Sequence, residues 1–391
     1  MTKDNKLTYI SLFSSAGVGC YGFKLNQFEC IATNEIIARR LSIQKLNHKC
    51  QYETGYICGD IIQAKTKQQI YTEIQRWHEL GNDRVDVLVA TPPCQGMSVA
   101  NHKKADDEIK RNSLVVESID LIKTIQPRFF VLENVQAFLK TGCVNQQGEV
   151  VAIGDLIVNE LGLNYRIAHK IINFKNHGAN SSRTRTLVIG VSKELDIDPE
   201  HLFPKAENEK TLFELIGKMK SLDWGEYDAD DFYHSFRIYP EHMRAWIKDI
   251  KQGQSAFDNA DLHKQPHKIV NGKIVLNHSK NGDKYTRQYY DKVAPCIHTR
   301  NDQLASQNTV HPIDDRVFSI RELMILMNIP ASFQWSNNSL AELNALSLDN
   351  KRKHSKKTEM NIRQSIGEAV PTIIFERIAN NIKTQIGMSN D

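Results

Sequence analysis

Residues 91–96 read Thr91-Pro92-Pro93-Cys94-Gln95-Gly96 and directly follow the apolar run Val85–Ala90. A short apolar run bounded by turn formers predicts a buried strand. Two prolines then fix the exit of the chain, and a thiol is held at the strand's carboxyl end. In a parallel α/β sheet that end is where ligands bind, so Cys94 is a candidate nucleophile, reacting as its thiolate. Gly96 lets the backbone past the cysteine approach a bound group closely. A second apolar run, Phe129-Phe130-Val131-Leu132, ends at Glu133-Asn134. If the two strands are neighbours, a nucleophile and a carboxyl group face one pocket. On these residues alone, two plainer readings stay open: a structural cysteine beside a Pro-Pro turn, and a helix cap after a strand.

The elements that must position these groups are legible upstream. Residues 7–13 are rich in β-formers and lead into the small-residue turn Ser14-Ser15-Ala16-Gly17-Val18-Gly19. Cys30–Thr33 ends at Asn34-Glu35, and Tyr56–Cys58 ends at Gly59-Asp60. Apolar residues at helical spacing run from Leu114 to Ile125 and stop at Pro127; Leu187–Val191 is a later strand. Strands alternating with helices imply a parallel, doubly wound sheet. A small-residue turn after the first strand and an acid at the end of the second suit a cofactor with a ribose, although the full glycine-rich fingerprint is missing.

Beyond residue 195 the apolar periodicity fades. Asn271-Gly272 between β-branched pairs (Ile269-Val270 and Ile274-Val275) predicts a type I′ hairpin. Residues 316–329 read as a strand followed by a helix that Pro330 stops, and helical spacing returns over Ile362–Ile386. The chain has 391 residues with 50 Lys plus Arg against 46 Asp plus Glu, a net charge of +4, so a nucleic-acid surface must be a local patch. Seven cysteines without a C-x-x-C pair argue against a disulfide framework or a zinc site and for a reducing cytosol. No run of apolar residues is long enough to span a membrane, and no secretion signal is read at the start.

Taken together, these residues resemble the DNA (cytosine-5)-methyltransferases. Pro93-Cys94-Gln95 matches the family's nucleophile motif and Glu133-Asn134-Val135 its Glu-Asn-Val motif. Phe13 to Gly19 resembles its cofactor turn, and Arg183-Thr184-Arg185 resembles the end of Gln-x-Arg-x-Arg. Arg316 to Glu322 looks like the motif supporting target recognition, and Gln364 to Pro371 looks like the final motif. The order holds across nearly the whole chain. Three positions depart: Ser15 replaces a glycine, Ser181 the first Gln, and Glu368 an Asn.

The resemblance implies an α/β fold, a Rossmann-like doubly wound S-adenosylmethionine-dependent methyltransferase sheet with a smaller, irregular target-recognition domain. It implies S-adenosylmethionine bound by Phe13, Ser14, Ser15, Ala16, Gly17, Glu35, Asp60, Pro92 and Leu114, with no metal. Cys94 would attack cytosine C6, a protonated Glu133 would donate to N3, and Arg185, with Arg183 behind it, would stabilise the base's carbonyl oxygen. The cytosine must be flipped out of its duplex, and the polar, basic segment from Gly96 to Lys104, with Lys110-Arg111-Asn112 beyond it, suits a closing loop on phosphates.

The expected division is a catalytic and cofactor domain over 1–190 and a target-recognition domain over 191–335. A polar basic linker or insertion would follow over 336–360, then a C-terminal helix over 361–391 that returns to the catalytic domain. Lys284, Tyr285, Arg287, Tyr289, Tyr290, Arg300, Asn301 and Gln303 are candidate DNA contacts. The Lys351–Lys357 run reads as a phosphate-binding insertion or a solvated loop. The expected partner is double-stranded DNA, with a cognate restriction endonuclease acting separately on a cytoplasmic, monomeric enzyme. Three rivals remain at this level: a transfer-RNA cytosine methyltransferase, a non-catalytic DNA-binding relative, and a Rossmann oxidoreductase with a redox cysteine.

Overall fold

The computed structural model describes residues 6–93, 113–145, 147–277 and 283–387. They form two compact units. The first comprises residues 1–177, 184–207 and 370–391, and the second comprises 178–183 and 208–369.

The first unit is built on a seven-stranded sheet. Its strands are β1 (Thr8–Leu12), β2 (Glu29–Glu35), β3 (Tyr56–Cys58), β4 (Val87–Ala90) and β5 (Phe129–Asn134). A side hairpin follows, β6 (Gly142–Val144) with β7 (Val150–Ala152), before β8 (Tyr165–Asn173) and β9 (Thr184–Ser192) complete the sheet. The order is β3-β2-β1-β4-β5-β9-β8. β1 to β5 pair in parallel, as the alternation of strands and helices implies. β9 runs antiparallel to both β5 and β8, which the sequence reading does not foresee. The cause is the connection: only residues 174–183 separate β8 from β9, too few for a crossover helix, so the chain turns back. β1, β4 and β5 are buried along their whole length; β4 and the first four residues of β5 therefore read as apolar runs, while β1 also buries Thr8 and Ser11.

The order reverses between β1 and β4, with β2 and β3 on one side and β5 on the other. The crevice at such a switch point lies beyond the carboxyl ends of the strands. The C-terminal helix Thr372–Gln385 covers the helix Tyr21–Leu25. Contact there is close: a Cβ on Gly22 would lie 2.3 Å from the Glu376 backbone nitrogen. Asn26 Nδ2 donates to the Glu376 carbonyl at 3.0 Å, and Thr372 Oγ1 to the Val18 carbonyl at 3.0 Å.

The second unit has an aromatic core around Phe236, Trp246, Tyr285 and Val310. Its hairpin, β10 (His267–Val270) with β11 (Lys273–Leu276), turns through Asn271 (φ 51°) and Gly272 (φ 75°), the two positive angles of the expected turn. Two expectations give way here. Val317 makes only an isolated bridge to Val310, so residues 316–329 supply a helix, Ile320–Leu326, without a preceding strand. Residues 336–360, read as a polar linker, are largely helical: Leu340–Ala345, then Leu348–Glu368. Capping overrides the weak apolar pattern for the shorter helix, where Ser339 and Glu342 form a reciprocal cap. The longer one is polar along most of its length and buries Ile362, Arg363 and Ile366 in its last turns. Pro371 separates it from Thr372–Gln385, so Ile362–Ile386 is two helices and not one.

Candidate active site

The turn after β1 is held in an unusual backbone state. Phe13 (φ 55°), Ser15 (φ 46°) and Gly17 (φ 82°) all take left-handed angles. Such angles favour glycine, so Ser15 occupies a position whose backbone asks for the residue it replaces. A polar lattice beneath holds the turn. Ser14 Oγ donates to the Asn34 carbonyl at 3.0 Å and accepts from Thr33 Oγ1 at 2.8 Å and Gln44 Nε2 at 2.7 Å. Gln44 Nε2 also donates to the Ser15 carbonyl, and Lys49 Nζ to Thr33 Oγ1. Thr33, Gln44 and Lys49 carry no motif that sequence reading could recognise. Their signal is spatial, from one strand (Thr33), the helix that follows it (Gln44, in Ala38–Leu46) and the turn beyond (Lys49).

Glu35, at the end of β2, is 5% exposed. Its Oε2 accepts the Ser15 amide at 2.8 Å and its Oε1 the Ile37 amide at 3.0 Å, with Arg40 Nη1 3.6 Å from Oε1. Because a carboxylate offers about four acceptor sites, it retains capacity for a pair of hydroxyls. Asp60 lies half-buried beyond β3 and accepts the Ile62 amide at 3.1 Å. Leu114 opens the helix Ser113–Ile125 and packs partly buried against the sheet core.

The exits of β1, β4 and β5 are tied together. Thr91 Oγ1 donates to the Phe13 carbonyl at 3.2 Å, and Asn134 Nδ2 donates to the Pro92 carbonyl at 3.1 Å. Asn134 Oδ1 also accepts the Val135 amide at 2.8 Å. The register pairs Ala90 with Leu132, so the strand that leads to Cys94 and the strand that carries Glu133 are immediate neighbours. Cys94 itself lies outside the described residues, as do the segment from Gly96 to Lys104 and Lys110-Arg111-Asn112.

Glu133 is buried, and its Oε1 lies 3.2 Å from Arg185 Nε. It is one half of an ion pair and not an isolated acid in an apolar pocket. A base that used Glu133 would compete with the guanidinium for it. Arg185 reaches it from β9, where Glu133 stands opposite Leu187. The strand is legible in sequence over Leu187–Val191, but it begins earlier, at Thr184, and its antiparallel pairing with β5 delivers this arginine.

Arg183 is placed differently from its expected role. It belongs to the second unit, where its buried guanidinium donates to the carbonyls of Ile297 (3.5 Å), Gly367 (3.2 Å) and Glu368 (3.3 Å). These bonds make it a clamp on the end of the helix Leu348–Glu368. Ser181 is likewise buried, with its hydroxyl on Met327 Sδ. Three candidate DNA contacts are also corrected. Tyr285 is a core residue, while Arg287 donates to the carbonyls of Ile247, Ile250, His311, Ile313 and Asp314 and pairs with Asp315. Asn301 is buried and donates to the carbonyls of His298 and Arg363. An arginine that reads a base and one that satisfies buried carbonyls look alike in sequence.

The cofactor end of this site fits S-adenosylmethionine. The left-handed turn leaves only small side chains at Ser14 to Gly17, and an anchored carboxylate and a second acid stand at the next two strand ends.

Comparison with known proteins agrees with this geometry. The model of the C-5 cytosine-specific DNA methylase family matches residues 7–384. Over 390 residues the chain is 31% identical to Type II methyltransferase M1.HgaI of Avibacterium volantium, covering 95% of this chain and 97% of that protein. Type II methyltransferase M1.HphI of Haemophilus parahaemolyticus is 25% identical over 383 residues, covering 96% of this chain and 86% of the other. Among solved structures, a prophage-encoded E. coli protein described as a DNA modification methyltransferase shares the fold. Its TM-score is 0.64 at 17% identity, covering 97% of this chain and 99% of that one. The S. pombe Dnmt2 methyltransferase does so with a TM-score of 0.58 at 14% identity, covering 97% and 98%. The chain belongs to the C-5 cytosine-specific DNA methylase family and is an S-adenosylmethionine-dependent DNA (cytosine-5-)-methyltransferase.

Proposed function

We propose that this enzyme methylates C5 of a cytosine flipped out of a specific duplex DNA sequence, through a covalent bond between Cys94 and C6. Cytosine C5 is a poor nucleophile. Addition of a thiolate to C6 makes C5 electron-rich, at the cost of charge on N3 and the carbonyl oxygen; once C5 carries the methyl group, loss of its proton expels the thiolate from C6 and restores the ring. Glu133 and Arg185 are the groups that would meet that charge: Glu133, taking up a proton from solvent as the base displaces the guanidinium from it, by donating to N3, and Arg185 by facing the oxygen. Asn134 holds the Pro92 carbonyl, and so fixes the chain two residues before the thiol. Glu35, Asp60, Pro92, Leu114 and the turn Phe13–Gly17 would hold S-adenosylmethionine, which supplies an electrophilic methyl group on a sulfonium. The stacked duplex hides C6, so the base must leave the stack to react.

The observation that carries this reading is the buried Glu133–Arg185 pair, whose carboxyl group stands on the strand next to the one that leads into Pro92-Pro93. Type II methyltransferases over nearly the full length of the chain further support a role in protecting host DNA from a separate, cognate restriction endonuclease in the cytoplasm. The test is transfer of labelled methyl from S-adenosylmethionine to unmethylated duplex DNA and to transfer RNA. Label at C5 of cytosine at one recurring DNA sequence is expected. Label in the RNA alone would refute the reading.

A further inference from the structure

Three of the eight candidate DNA contacts in the second unit, Tyr285, Arg287 and Asn301, are committed to its interior, so DNA reading needs groups that stand outside. The hairpin β10–β11 projects both strands away from the aromatic core. Its root is fixed: the His267 ring packs 5.6 Å from the Trp246 ring, and the Asn277 amide donates to the Pro266 carbonyl at 2.8 Å. Opposite residues of a hairpin share a face. The register places Lys268 opposite Val275 and Val270 opposite Lys273, so these four form one face. All four are exposed, with Val270 50% and Val275 49% accessible. Charge is concentrated here as well. Residues 262–277 hold Lys264, Lys268, Lys273, His263 and His267 and no acid, in a chain whose opposite charges nearly balance. Lys264 is paired with Asp249, and this leaves Lys268 and Lys273 to set the charge of the face.

We propose that this ribbon is the enzyme's sequence-reading element and enters the major groove of the duplex with the Lys268–Val270–Lys273–Val275 face and Asn271 at its tip. The inference rests on the DNA methyltransferase reading above and assigns the surface that selects the site. A two-stranded ribbon fits the major groove. Lysines there meet phosphates or guanine edges, an exposed valine can contact a thymine methyl, and an Asn side chain can bond adenine at two atoms. Charge favours DNA over a protein partner, because an acid-free ribbon complements a polyanion.

The test uses the full-length chain. Lys268→Ala/Lys273→Ala removes two charges from an exposed face, and Asn271→Gly removes the tip side chain while keeping a residue that accepts positive φ. Binding to a short unmethylated duplex carrying the mapped target is followed by fluorescence anisotropy across salt concentrations, S-adenosylmethionine binding by calorimetry, and methylated positions by sequencing. The double variant is expected to bind the cofactor normally, to bind DNA at least tenfold more weakly, and to lose about 2 from the salt slope. Asn271→Gly is expected to relax the preference at one base pair. Unchanged salt slope and unchanged site preference, with the wild type active, would overturn the ribbon assignment alone. A wild type that binds cofactor but methylates no DNA would overturn the underlying reading and the assignment with it.

Discussion

Asn134 donates from Nδ2 to the carbonyl of Pro92 at 3.1 Å and accepts the Val135 amide through Oδ1 at 2.8 Å. One side chain thus locks the end of the strand that carries Glu133 to the exit of the strand that leads to Cys94. Asn134→Ala would leave buried polar groups unpaired, costing about 1–3 kcal/mol. It would also loosen the approach to Cys94. The expected result is a fall in kcat of about 10²-fold, as for other displaced reacting groups, with S-adenosylmethionine affinity changed far less. Single-turnover methyl transfer together with cofactor titration checks this.

Glu133 and Arg185 are a buried pair, so their variants should not behave alike. Glu133→Gln keeps size and hydrogen bonding but removes the ionisable carboxyl group; a loss of about 10²–10⁴-fold in kcat is expected with a small change in melting temperature. Arg185→Ala leaves a buried carboxylate without its cation and should lower stability by about 3 kcal/mol as well. Urea melts beside kinetics separate the two effects. Equal destabilisation by both variants would contradict the pairing.

Ser15 has φ 46°, a region that costs an L-residue about 1–2 kcal/mol relative to glycine. Its amide bond to Glu35 is made by the backbone and survives substitution. Ser15→Gly should raise the melting temperature slightly and keep cofactor affinity, after allowing for the greater freedom of glycine in the unfolded chain. Ser15→Val should lower both. A Ser15→Gly variant less stable than wild type would show that the hydroxyl itself is needed.

His311 makes the second unit acid-sensitive. The ring is buried, and burial pushes it down to about 4 despite Glu322 nearby, while Arg316 and Arg287 push the same way. Its Nδ1 accepts the Asp314 amide at 3.0 Å and the Ile313 amide at 3.3 Å, bonds that only the neutral ring can make. A histidine titrates near 6.5 when unfolded, so the unfolded chain takes up the proton first. Stability is therefore full above pH 6.5 and falls as pH drops from 6.5 towards 4, by a few kcal/mol in total. Arg316 holds the Glu322 carboxyl well below the ordinary carboxylate range, so that group stays charged throughout this window. Urea melts between pH 8 and 5 should show the loss, and His311→Asn should flatten the slope.

The parts of the fold that were legible in sequence are those where burial is uniform. β1, β4 and β5 are buried on both faces and mostly apolar, and Asn271-Gly272 announces its turn by chemistry alone. β8 escaped because polar residues fall on both of its faces, His169 and Asn173 on one and Lys170 on the other, and the strand lies at the sheet edge. The basic run Lys351–Lys357 looked like a loop because helix Leu348–Glu368 buries only a narrow stripe, Lys351 among it, with Lys351 Nζ over the Tyr227 ring. Motif residues named the strand ends, but not the work done there. Arg183 and Arg185 are two residues apart in one motif, and one clamps helix carbonyls while the other pairs with the buried acid.

The central claim is that Cys94 is the nucleophile. Its most direct test is trapping on a duplex with 5-fluorocytosine at the mapped target, where the proton that must leave C5 is replaced by fluorine. Wild type with S-adenosylmethionine should form a denaturation-resistant complex whose mass places the nucleotide on Cys94, and Cys94→Ser should form none and transfer no methyl. Undiminished methyl transfer to cytosine C5 by Cys94→Ser, or an adduct on another residue, would contradict the account.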